Sequence, residues 1–265
     1  MLLMENKNKY FSENTALFIS GALTGIIKHT ILFPIDTIKT RSQLGIYKYT
    51  SFRSLYTGIP LIYISVIPYY GTYYLTYTQT KKILNNYNID DTLKWSISAC
   101  VAHLSSIINI PFDVIKQRWQ VDSSKFDSIS KFKESLKNIY NTQGVSSLFR
   151  SLPVKITMGV PIMLTDVLIY ENILKHIKKD EKDNDLIDHF IAGFVSGGVS
   201  GFITNPLDVI KSNVQVYNIL ILDAIKKQTL KSIWYGSVYR MFYLSCSSSM
   251  SWFLFNGINK SILNY

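Results

Sequence analysis

The chain reads as an all-α membrane protein: six transmembrane helices in three repeats, joined by short helices. Three observations predict this. Of 265 residues 47% are hydrophobic and only 17% charged, with mean hydropathy +0.12, against about 25% charged in soluble domains. A ten-residue pattern recurs three times. Six apolar stretches are each long enough to cross a bilayer, yet they mix Gly, Ser, Thr and Tyr with Ile and Leu instead of forming a clean run of about 20 apolar residues. Such mixing suits helices that turn one face to lipid and one to a polar cavity.

The repeated pattern is PIDTIKTRSQ (34–43), PFDVIKQRWQ (111–120) and PLDVIKSNVQ (206–215). Aligned on the proline, the acid is Asp36, Asp113 and Asp208, the lysine Lys39, Lys116 and Lys211, and the glutamine Gln43, Gln120 and Gln215. An arginine follows in two copies, Arg41 and Arg118, and becomes Asn213 in the third. The prolines are spaced at intervals close to a third of the chain, so three units account for nearly all of it. A proline inside an apolar helix removes a backbone donor and clashes with the preceding turn, so each is expected to kink its helix.

In chain order the apolar stretches are 12–43, 59–86, 92–121, 153–178, 185–216 and 238–263. The odd-numbered ones end in the proline pattern. The even-numbered ones follow shorter amphipathic segments near 50–56, 124–142 and 220–231. The repeats are expected at 1–90, 91–183 and 184–265. The charged run KKDEKDNDLID (178–188) reads as a solvated loop. Gly21 and Gly25, then Gly193, Gly197 and Gly201, have the spacing that lets helix backbones approach closely in lipid.

The opening MLLMENKNKYFSENT has no continuous apolar core. It also lacks arginine and carries Glu5 and Glu13. Targeting is therefore expected to be internal. Cys100 and Cys246 each lie inside an apolar stretch with no partner nearby in sequence, so no disulfide framework is implied and the redox compartment stays open. An enzyme is disfavoured: there is no metal-spaced His/Cys cluster, no phosphate-binding glycine loop and no nucleophile elbow. No cofactor, metal site or nucleic-acid partner is expected. The net charge of +10 is read as lysines facing anionic lipid, notably cardiolipin.

The chain resembles the mitochondrial carrier family, marked by three copies of Pro-x-Asp/Glu-x-x-Lys/Arg that close the odd-numbered helices. A second family element, a glycine after each short matrix helix, matches at Gly58 in LYTGIP and Gly236 in IWYGSV. In the middle repeat, QGVSSLFRSLP keeps Gly144 and Arg150 but has Ser151 at the glycine position. The resemblance implies a three-fold pseudosymmetric bundle with both termini facing the intermembrane space. It also implies ion pairs between helices: Asp36 with Lys116, Asp113 with Lys211, and Asp208 with Lys39. The three glutamines would hydrogen-bond to these pairs. Such pairs form a matrix-side gate that opens when they hydrate, and alternating access follows. The family's cytoplasm-side counterpart is eroded here: Thr78 and Asn256 stand where acids are usual, and Lys175 follows Tyr170 and Glu171 one position late. A weak cytoplasmic gate is expected.

Within the family, ILFPIDTIKTR (31–41), the short link from Gln43 to Gly58, SLYTGIP (54–60), Pro68 and the pair Thr76-Tyr77 resemble the S-adenosylmethionine carriers. Of five arginines, Arg41, Arg53, Arg118, Arg150 and Arg240, none is expected in mid-cavity, which disfavours a highly anionic nucleotide. Where those carriers usually show Arg-acid, this chain has Met158-Gly159; Pro161 is kept, and Gly159-Val160 mimics an adenine-facing pair. Asp166 is read either as the partner of a sulfonium or ammonium, or as a carboxylate paired with Lys28 or a histidine (His29 or His103). Tyr70, Tyr73, Tyr74 and Tyr77 share one helical face suited to cation–π contact or stacking. The expected substrate residues are Ser65, Tyr70, Tyr73, Tyr74, His103, Met158, Gly159 and Asp166, although His103 also fits a satisfied core histidine and the tyrosine stripe ordinary packing. The implied function is import of S-adenosylmethionine in exchange for S-adenosylhomocysteine across the mitochondrial inner membrane. The alternatives are a carrier for another small metabolite or a carrier-fold protein that does not transport.

Overall fold

The computed structural model describes residues 13–46, 51–121, 129–177 and 185–263. The N-terminal stretch through residue 12, the start of the second amphipathic segment and most of the charged run at 178–188 lie outside the described residues.

Ten helices follow in order among the described residues. They are α1 (Glu13–Gln43), α2 (Ile59–Leu84), α3 (Asp91–His103), α4 (Ser106–Val121) and α5 (Ile129–Gln143), then α6 (Leu152–Ile177), α7 (Asp185–Ile203), α8 (Asn205–Tyr217), α9 (Ile221–Lys226) and α10 (Ser237–Leu263). Short 3₁₀ turns at Phe52–Tyr56, Val145–Phe149 and Ser232–Trp234 precede α2, α6 and α10. Local chemistry sets several starts. Asp90 caps α3, its carboxylate accepting from the Thr92 and Leu93 amides. Gly58, at φ +96°, turns the chain into α2, whose second residue is Pro60.

Only the third of the motif prolines, Pro206, sits at the bend the sequence led us to expect. α1 runs unbroken through Pro34. The second and third odd-numbered stretches do bend, by 54° and 65°, but at Leu104–Ser105, well before Pro111, and at Thr204, just before Pro206. Hydrogen bonding explains both places. Around Leu104 the amides of Leu104, Ser105, Ile107 and Ile108 all bond three residues back instead of four, and the Ser105 hydroxyl takes the Ala102 carbonyl at 2.7 Å. At the second break the Arg240 guanidinium enters, Nε donating to the Gly201 carbonyl at 3.0 Å and Nη2 to Thr204 Oγ1 at 2.8 Å. A freed carbonyl is thus satisfied by a neighbouring helix, as helix breaks at membrane depth require.

Taking each bent pair as one unit, the six long elements form a closed ring: α1 packs on α2, α2 on α3–α4, α3 on α6, α6 on α7, α7 on α10, and α10 on α1. Small residues set the closest seam. A Cβ at Gly193 would lie 3.1 Å from the Ser249 backbone, and one at Gly197 would strike the Leu244 carbonyl. Judged by hydropathy, two described helices qualify as spans alone, four if each bent pair counts as one. α2 and α10, at 26 and 27 residues, are long enough but are diluted by tyrosines and serines on their inner faces. Outward residues such as Ile191, Phe194, Val195 and Phe202 on α7 are exposed, forming the apolar exterior that lipid would cover. A satellite cluster of Leu61, Val114, Ile115, Trp119, Ile139 and Leu148 pins α5 beneath α2 and α4.

Candidate functional site

The three recurring acids come together in one buried layer where α4, α8 and the end of α1 meet. Asp36 accepts Lys116 Nζ at 2.8 Å and Gln120 Nε2 at 3.2 Å. Asp208 Oδ2 accepts Lys39 Nζ at 2.7 Å and Gln43 Nε2 at 2.8 Å. The helical spacing puts each acid, its lysine and its glutamine on one inward face, and the helix ends bring each acid to the lysine of another repeat.

The third corner departs from the pattern. Asp113 Oδ2 is taken at 2.8 Å by Lys155, while Lys211 stands off at 3.9 Å. Gln215 bonds Ser151 Oγ at 2.9 Å and not Asp113. The expected Asp113–Lys211–Gln215 set is therefore replaced, because Lys155 reaches the carboxylate first. The Asp208 corner also gains a cation, Arg240 Nη1 at 2.5 Å. Lys155 and Arg240 were not among the expected site residues. A signal for them exists: both fall four residues after the turn position, Ser151 and Gly236, where the first repeat has Gly58 followed by Ile62.

The motif arginines have a different task. Arg41 Nε donates to the Gln120 carbonyl at 2.7 Å, and Arg118 Nε to the Gln215 carbonyl at 2.9 Å. Each braces the backbone of the next repeat. Asn213 is too short for this and bonds its own helix at the Val209 carbonyl, 2.9 Å away.

A separate cavity lies between α1, α2, α6, α7 and α10. Its wall carries Tyr69, Tyr70, Tyr73, Tyr74 and Tyr77 from α2. Facing them are Lys28, Asp166, and Ser247, Ser248 and Ser251 from α10. Lys28 Nζ donates to Ser251 Oγ at 2.8 Å and sits 4.4 Å from the Tyr70 ring centre. Asp166 accepts from Ser248 Oγ at 3.2 Å. The two charges make no ion pair with each other; each is held by a hydroxyl. The direct Lys28–Asp166 pair considered from sequence is thus not formed. A buried lysine and a half-buried carboxylate held apart suit a ligand that carries both signs. The serine run of α10 was not singled out in the sequence, since serine alternation within an apolar helix also fits ordinary packing.

Of the expected substrate residues, Asp166, Tyr70, Tyr73 and Tyr74 line this cavity. The other four do not. Ser65 is fully buried and bonds its own helix at the Ile62 carbonyl, 3.2 Å away. Met158 packs its sulfur 3.7 Å from Arg240. The His103 ring lies directly against Gly159, where any Cβ would collide with it. Val160 faces outward, 46% exposed. Gly159 therefore serves the α3–α6 contact while Val160 points away from it, and the pair does not line the tyrosine cavity. At the opposite end Gln79 bonds Asn14 at 2.6 Å, and Tyr170 bonds His189 at 2.6 Å. The side chains of Lys175 and Asn256 lie outside the described residues.

Comparison with known proteins agrees with this architecture. The family described as mitochondrial carrier protein matches residues 11–51, 92–181 and 182–265. The chain is 30% identical to the mitochondrial RNA-splicing protein MRS3 of Saccharomyces cerevisiae over 75% of its length and 68% of that protein. It is 28% identical to the mitochondrial S-adenosylmethionine carrier protein of Danio rerio over 94% of its length and 97% of that protein. It is 25% identical to the mitoferrin of Dictyostelium discoideum over 88% of its length and 90% of that protein. A thrice-repeated acid–lysine–glutamine motif whose acids meet in one layer inside a ring of six long helical elements, with the family match over most of the chain, makes this protein a member of the mitochondrial carrier family.

Proposed function

We propose that this carrier imports S-adenosylmethionine across the mitochondrial inner membrane in exchange for S-adenosylhomocysteine, by alternating access. The observation that carries the reading is the tyrosine-lined cavity in which Lys28 and Asp166 stand unpaired with each other. Lys28 would hold the substrate carboxylate. Asp166 would face the ammonium or the sulfonium, and the tyrosine rings would pack on the adenosyl group and attract positive charge. Relatives with the printed name S-adenosylmethionine carrier support the substrate class.

In the same proposal, 1–90, 91–183 and 184–265 are the repeats, and the layer of Asp36, Asp113 and Asp208 with their cations is the matrix-side gate. The net energy of a buried, hydrogen-bonded ion pair is small, since desolvation offsets most of the attraction. Binding energy from the cavity can therefore tip the gate between paired and hydrated states. The excess of basic residues would face anionic lipid, cardiolipin included.

Uptake into liposomes by the purified carrier tests the assignment, screened over adenosyl compounds, amino acids, nucleotides and divalent metal ions. Asp166→Asn should weaken S-adenosylmethionine uptake about tenfold or more and S-adenosylhomocysteine uptake less, because only the former brings a sulfonium. Equal losses for both compounds would make Asp166 structural. Saturable uptake of a different metabolite alone would overturn the substrate while leaving the carrier intact.

A further inference from the structure

The gate layer is not charge-balanced. Three carboxylates, Asp36, Asp113 and Asp208, meet Lys39, Lys116, Lys211, Lys155 and Arg240, all buried. Two positive charges are in excess, and the three corners deal with them differently. The Asp36 corner, with Ile62 at the position of the extra cation, keeps one acid and one lysine at 2.8 Å. At the Asp208 corner both cations touch one oxygen, at 2.7 and 2.5 Å. At the Asp113 corner they do not: Lys155 takes the oxygen and Lys211 is left at 3.9 Å, beyond hydrogen-bond reach. The glutamine that caps the other two acids has turned away to Ser151. A buried ammonium with no hydrogen-bonded anion is costly, and this one lies where the layer already carries surplus positive charge.

We propose that the Asp113 corner is an anion site. A small singly charged anion, a carboxylate or chloride, bridges Lys211 and Lys155 and neutralises part of the excess when the gate is closed. This also bears on the cationic substrate proposed above, because an anion bound here lowers the repulsion that a net positive ligand meets. Two sources supply the same chemistry: a free ion, or the carboxylate of the substrate itself. The site does not depend on the substrate assignment; only the second arm of the test does.

The test is thermal unfolding of the whole carrier in detergent, at constant ionic strength, against a background of a bulky anion. In the first arm chloride or acetate is titrated in. A free-ion site gives a saturable rise in midpoint, about 3–5 °C at roughly tenfold excess over the dissociation constant. In the second arm, without small anions, S-adenosylmethionine is compared with its decarboxylated analogue. A larger rise for the carboxylate-bearing compound assigns the site to the substrate only where that excess shrinks in Lys211→Met, the part owed to Lys28 remaining. In the first arm the rise must disappear in Lys211→Met. Lys155→Ile, which installs the residue that the first repeat carries at this position, must also abolish it, because Lys211 can then close on Asp113. The second variant keeps the test decisive if the first does not fold. Should S-adenosylmethionine shift neither protein, the substrate reading fails and the first arm alone decides the site. No anion-dependent rise, or an equal rise in wild type and Lys155→Ile, overturns the proposal.

Discussion

Replacing Asp208 by asparagine should destabilise the carrier more than the same change at Asp36, although the motif gives both acids the same place. The carboxylate of Asp36 serves one cation, Lys116 at 2.8 Å, and Gln120 at 3.2 Å. That of Asp208 serves two cations and a glutamine on a single oxygen: Arg240 at 2.5 Å, Lys39 at 2.7 Å and Gln43 at 2.8 Å. Breaking one buried pair leaves an uncompensated charge and costs about 3–5 kcal/mol. Asp208→Asn strands two. The expected loss is about 5–8 kcal/mol, less than twice the single-pair cost, because Lys39 and Arg240 share one oxygen and their losses do not add. At about 2–4 °C per kcal/mol for a chain of this size, Asp36→Asn lowers the unfolding midpoint by about 6–20 °C, and Asp208→Asn lowers it further. Tryptophan fluorescence of the detergent-solubilised protein during heating reads both. Adding Lys39→Met to Asp208→Asn should recover part of the loss by removing one stranded cation while Arg240 keeps its bonds to Gly201 and Thr204. The reasoning is refuted if the two asparagine variants melt together, or if the added Lys39→Met change lowers the midpoint further.

Three more outcomes follow from the same geometry. A charge swap at the simple corner, Asp36→Lys with Lys116→Asp, should restore liposome uptake relative to either single change; at Asp113 and Lys211 it should not, because Lys155 would then face a second lysine. Equal rescue at the two corners would show that Lys155 does not hold Asp113. Gly159→Ala should lower thermal stability through the clash with the His103 ring, and His103→Ala in the same chain should recover much of it; the readout is the unfolding midpoint of the two variants. Gly236→Ala should cost more than Gly45→Ala, measured the same way. Both glycines have φ +71°, but a Cβ at Gly236 would lie 2.8 Å from Gln43 Cγ and displace the glutamine that caps Asp208, whereas Gly45 has open space around it.

The sequence by itself determined the helical class and the recurring acid–lysine–glutamine set. Period and composition are local properties: a proline, an acid, a lysine and a glutamine at fixed offsets share a helix face wherever that helix ends up. For the same reason it put Tyr70, Tyr73, Tyr74 and Tyr77 on one face of α2, although it left out Tyr69, which lines the cavity with them. What only the tertiary structure decided are the partners. Lys155 lies 42 residues from Asp113 along the chain, and its closeness to that acid depends on where the fold puts the start of α6. With Lys155 on the carboxylate, Lys211 stands at 3.9 Å and Gln215 bonds Ser151. Two of the three bends differ from the sequence reading: a proline marks where one donor is lost, yet α1 runs unbroken through Pro34 and the second stretch breaks at Leu104–Ser105, whereas the third bends as expected beside Pro206, at Thr204, where Arg240 satisfies a freed carbonyl. Gly159 and His103 looked like cavity residues because a one-dimensional pattern ranks depth along a helix and says nothing of which neighbour covers each face. The separation of Lys28 from Asp166, on which the substrate reading rests, is a distance across the ring between α1 and α6, set by helix packing and by serines on α10 that hold each charge in place.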